Sequence, residues 1–77
     1  TTAADAVSTL NSLLRTELAA VDAYESAVGK FESRPVVAQE LRRLRDQHRD
    51  SARVLREHVT TLGGSPSESS GAWGTFV

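Results

Sequence analysis

Two side chains in this sequence carry reactive groups at positions that call for apolar residues. Leu10, Leu13, Leu14, Val21, Tyr24 and Val28 recur at helical spacing and form one apolar stripe, with Glu17 in its middle. Val37, Leu41, Leu44, Ala52, Leu55, Val59 and Leu62 form a second stripe, and His48 lies near its centre. An ionised carboxylate is costly to bury unless something pairs with it. An imidazole can meet that need directly, or can share a metal ion with the carboxylate. Tyr24 lies two turns beyond Glu17 on the same face. It is either a core aromatic whose hydroxyl finds a partner or a phenol beside a metal.

These residues need two helices to position them. The first is expected over about 4–31, in a stretch rich in Ala, Leu and Glu, with Thr2 or Asp5 as its cap. The turn signal is Gly29-Lys30-Phe31-Glu32-Ser33-Arg34-Pro35. Ser33 suits an N-cap, and Pro35 is tolerated only in a helix's first turn. The second helix is expected over about 34–62, stopped by Gly63-Gly64 with Pro66 just beyond. Two helices of about 28 residues, roughly 40 Å each, joined by a short link make an antiparallel hairpin. Glu17 precedes the turn midpoint by about as many residues as His48 follows it. The two therefore fall at about the same height and face each other across the seam.

Two readings of that pair follow from spacing. In one it is a buried hydrogen-bonded pair that fixes register, at a cost in stability. In the other, Glu17 and His48 are two metal ligands, and a second hairpin from a twin chain or a missing half brings two more. His58 flanks the second stripe almost three turns from His48, too far to share an ion with it, and reads as an edge histidine. Arg42, Arg45, Arg49, Arg53 and Arg56 make a basic band, but Asp46, Asp50 and Glu57 intersperse it. That pattern favours a solvated or partner-facing salt-bridged face over nucleic-acid binding.

Composition bounds the rest. A 77-residue chain is one small domain with a modest core. It has no cysteine, so disulfides and thiolate metal sites are excluded and association is the remaining common staple. Residues 1–32 carry two basic and five acidic side chains, a net of −3. Residues 33–62 carry seven arginines against four acids, a net of +3. With an overall net charge of −1, the chain is no general polyanion binder. It lacks a membrane-length apolar run and a signal-peptide pattern, so a soluble cytoplasmic protein is expected. There is no methionine, so the chain is expected to be a mature form, a cleavage product or part of something longer. Residues 65–77 read as a polar, flexible linker ending in Ala72-Trp73-Gly74-Thr75-Phe76-Val77. That apolar end either folds back on the hairpin, with Trp73 and Phe76 as anchors, or begins a third helix.

Glu17-x6-Tyr24 on one helix and His48 on the next resemble the ferritin-like superfamily, in particular its bacterial domains of unknown function. The opening Leu10-Asn11-Ser12-Leu13-Leu14, the helix end Leu62-Gly63-Gly64-Ser65-Pro66 and Gly71-Ala72-Trp73 carry the same likeness. The resemblance implies an all-α antiparallel hairpin forming half of a four-helix bundle, completed by dimerisation or by further helices. It also implies Glu17 and His48 as ligands for iron or another divalent metal, with Tyr24 beside them. One departure counts against carrying over the chemistry. Three residues before His48, where the family commonly has Glu, this chain has Arg45. Di-iron oxidation is therefore not implied, and a non-catalytic association domain without metal is the alternative.

Overall fold

The computed structural model describes residues 1–71. Two helices, α1 (Ala3–Lys30) and α2 (Pro35–Thr61), pack against each other as an all-α hairpin. Among the described residues no helix is long and apolar enough to cross a membrane. Trp73 and Phe76, and the expected start of a third helix, lie outside the described residues.

The helix ends follow local chemistry. Thr2 caps α1 through a reciprocal box: the Asp5 amide donates to Thr2 Oγ1 at 3.1 Å, and the Thr2 amide donates to the Asp5 carboxylate at 3.3 Å. This satisfies two otherwise orphaned amides and puts a negative charge at the positive end of the helix. At the start of α2 the expected Ser33 cap is not used. Arg34 occupies that position with no side-chain cap bond, and Pro35 opens the helix. The Arg34 amide donates to the Phe31 carbonyl at 2.9 Å, closing a tight turn that leaves Ser33 one residue too early to cap.

At the far end of α2, Gly63 adopts φ +82°. Its amide donates to the Thr60 carbonyl, and the Gly64 amide to the Val59 carbonyl, both at 3.0 Å. This pair of bonds is the Schellman arrangement, which ends a helix by satisfying its last carbonyls. Gly64 is needed for a second reason. A Cβ there would sit 2.6 and 2.8 Å from the two Val7 methyls and 3.2 Å from a Val59 methyl. The chain therefore turns directly over the start of α1.

The seam is narrow and partly lined by small residues. Leu14, Val28, Ala38, Ala52 and Val59 are buried in it. Ala38 takes the place expected for Val37, which is 37% exposed, while Leu13 and Leu62 are 49% and 43% exposed. Two faces are consequently different. On one, residues 65–70 run back along α1 as a strap. The Asn11 side chain donates to the Ser65 carbonyl at 3.1 Å and accepts from the Ser67 amide at 2.9 Å. Arg15 donates to Ser67 Oγ at 3.0 Å, and Ser70 Oγ to Asp22 at 3.2 Å. Composition read this stretch as a flexible linker, yet four side-chain bonds from α1 hold it. The other face carries the exposed Leu13, Val37 and Leu62.

Candidate functional site

Glu17 sits midway along α1, and His48 is the central residue of α2. Each projects where a leucine would complete the seam. Glu17 Oε2 and His48 Nδ1 are 2.5 Å apart. An ionised carboxylate only accepts, so Nδ1 carries the shared proton and donates it. Charge-assisted bonds of this kind are short. The side chains are 26% and 34% exposed, so the pair is neither sealed in the core nor free in solvent. Nε2 of His48 has no hydrogen-bond partner among the described residues and is left for water or an incoming group.

Tyr24 stacks on the His48 ring with centroids 5.3 Å apart and 21° between planes. Helical side chains tilt toward their own N-terminus. On α2 that is toward the turn and on α1 away from it, so Tyr24 and His48 converge from different levels. The stack lays the phenol ring against one face of the imidazole.

Arg45 lies one turn before His48 and is the residue that breaks the expected ligand pattern. Its side chain is only 17% exposed, and its guanidinium reaches Glu25 on α1 at 2.8 Å and Asp46 at 3.0 Å. The hydrogen bond to Asp46, with the Asp46 and Glu25 charges, raises the Arg45 pKa against an opposing effect of burial. Arg49 joins Glu25 at 2.8 Å, so one carboxylate clamps two arginines across the seam. Arg53 is tied to Asp50 and Glu57, both at 2.8 Å. Three of the five band arginines thus spend their charge within the chain. His58 makes no contribution to the site; it lies in the last turn of α2.

The structure brings Glu17, His48 and Tyr24 together. Among the described residues no group of three or more His, Asp or Glu side chains is placed to hold a metal ion. The donors of one chain are therefore one carboxylate and one imidazole, already bonded to each other. Sequence reasoning missed Glu25, whose role is visible only once both arginines are placed on the facing helix. Opposite charges at Glu25 and Arg45, about one and a half turns from level and so within the reach of a long arginine side chain, were the available signal.

Comparisons with curated proteins and with solved structures give no match. A family model does match: over residues 5–76, which include both helices, the Glu17–His48 pair and the strap, the chain belongs to the family described as a domain of unknown function, DUF2383.

Proposed function

We propose that this chain is a helical association module, half of a ferritin-like four-helix bundle, in which Glu17 and His48 form the polar pair that fixes register. The observation that carries this reading is the 2.5 Å bond between two residues at the centres of their helices, half-exposed on the apolar side of the hairpin. A lone polar pair in an apolar seam penalises slipped alignments, because a slip by one turn would leave both groups facing leucine or valine. The internal pairing of Arg45, Arg49 and Arg53 supports a protein-facing rather than a nucleic-acid-facing role.

One observation favours metal as a second reading. The same two groups are ligand types for iron or another divalent cation, and both are accessible. A single chain supplies only these two donors, so the residues present do not by themselves make a site. Thermal melting of chelator-treated chain, with and without added Fe(II), Mn(II) or Zn(II), separates the readings. Register pairing expects no change in Tm and no bound metal at equilibrium. A stoichiometric ion and a Tm rise of several degrees, both abolished in Glu17→Gln, would establish the metal module instead.

A further inference from the structure

We propose that Ser67 is a phosphorylation site and that Arg15 is the receptor for its phosphate, so that modification locks the strap onto α1. This goes beyond the association reading and does not depend on it. Residues 65–70 form neither helix nor strand and hold four serines, Ser65, Ser67, Ser69 and Ser70. Four side-chain hydrogen bonds hold this segment to α1, so it can open locally and present a serine to a kinase. In the reaction, Ser67 Oγ attacks the terminal phosphorus of a nucleoside triphosphate held by that kinase. The Oγ–P bond forms, the bond to the departing nucleoside diphosphate breaks, and the hydroxyl proton passes to the kinase's base.

What the phosphate then does depends on what each hydroxyl faces. Ser67 faces a cation. Its amide donates to Asn11 Oδ1 at 2.9 Å, and its Oγ accepts from Arg15 Nη1 at 3.0 Å. Arg43, Arg45, Arg49 and Arg53 are each paired with carboxylates. Arg15 is half-buried and, among the described residues, bonds only serine hydroxyls, the second being Ser12 Oγ at 3.2 Å. Its charge is therefore unanswered at short range. A phosphate of about −1.5 to −2 charge on Ser67 answers it with charge-assisted bonds to the guanidinium fork. Ser70 has the opposite setting. It is 5% exposed and donates to the Asp22 carboxylate at 3.2 Å, so a phosphate there would meet a like charge and push the strap off. Ser65 and Ser69 are exposed.

Total synthesis of the 77-residue chain with phosphoserine at 67 or at 70 tests the assignment. The readout is exchange of the Ser67 amide, relative to the same chain unfolded in urea. Phosphate on Ser67 is expected to slow it about tenfold, and phosphate on Ser70 to quicken it about tenfold. Arg15→Gln is expected to abolish the slowing. Exchange that is unchanged or faster with phosphate on Ser67 would overturn the lock, and slowing that survives Arg15→Gln would overturn the receptor. Inorganic phosphate added to the unmodified chain is expected to leave exchange unchanged. Slowing equal to that of the covalent group would make Arg15 a site for the free anion and defeat the role of Ser67. Phosphopeptide mapping of the chain from its native cells is expected to find phosphate on Ser67; phosphate confined to other serines, or on none, would overturn the modification.

Discussion

Glu17 and His48 satisfy each other, so removing either leaves its partner facing an apolar seam. Glu17→Leu or His48→Leu alone is expected to cost about 1 kcal/mol, discounted from a fully buried pair because both side chains reach solvent. The double leucine variant is expected to be neutral or stabilising relative to wild type, as replacement of buried ion pairs often is. Urea unfolding of the four proteins, read as a double-mutant cycle, checks this; a double variant weaker than both singles would contradict it. This pair was legible in the sequence because only rise per residue and the turn position are needed to match levels. The Tyr24 stack on His48 was not. It depends on the opposite tilts of side chains on antiparallel helices, which a projection at 100° per residue discards. Arg45 was read as an obstacle beside the site, whereas the structure shows it clamped by Glu25 and Asp46.

At the level of elements, the two glycines after α2 do different work and should fail differently. Gly63→Ala places a Cβ in the left-handed region with open space around it, and a cost of about 1 kcal/mol is expected. Gly64→Ala drives a methyl into Val7 and Val59, and about 1–3 kcal/mol is expected. Denaturant midpoints of the two variants measure the difference, and Val7→Ala should relieve part of the second loss but none of the first. Both helices and the Gly63-Gly64 stop were readable, since they rest on composition and on the punctuation of Gly and Pro. The seam's exact lining was harder. Val37 and Ala38 are neighbours about 100° apart, and hydrophobicity favours Val at the contact. Close approach of the helices instead selects the smaller Ala38. The strap was illegible because Ser65–Ser70 contains no apolar residue except Pro66, and its bonds come from polar side chains of α1.

For the molecule as a whole, both helices present more apolar surface than one hairpin buries. Exposed Leu13, Val37 and Leu62 follow from that excess. An open apolar side was legible from the width of the stripes; which side stays open was set by where the strap lies. The strap itself has a kinetic consequence. The hairpin can zip from its turn outward through contacts that begin close in sequence, whereas Ser67 must find Asn11 across 56 positions. Local contacts form early and long loops close late, so the strap should dock last. It should also be the first piece to come away, since it is held by four side-chain hydrogen bonds and brings no large apolar side chain into the core. Asn11→Ala, which removes two of those bonds, is expected to speed exchange of the Ser67 amide by about fivefold to tenfold, the equivalent of roughly 1 kcal/mol. Amides in the middle of α1 and α2 should exchange as in wild type, as hydrogen-exchange NMR can resolve residue by residue. The hairpin and its strap would then be two cooperative units within one 77-residue chain, the smaller able to open and reclose many times for each unfolding of the larger.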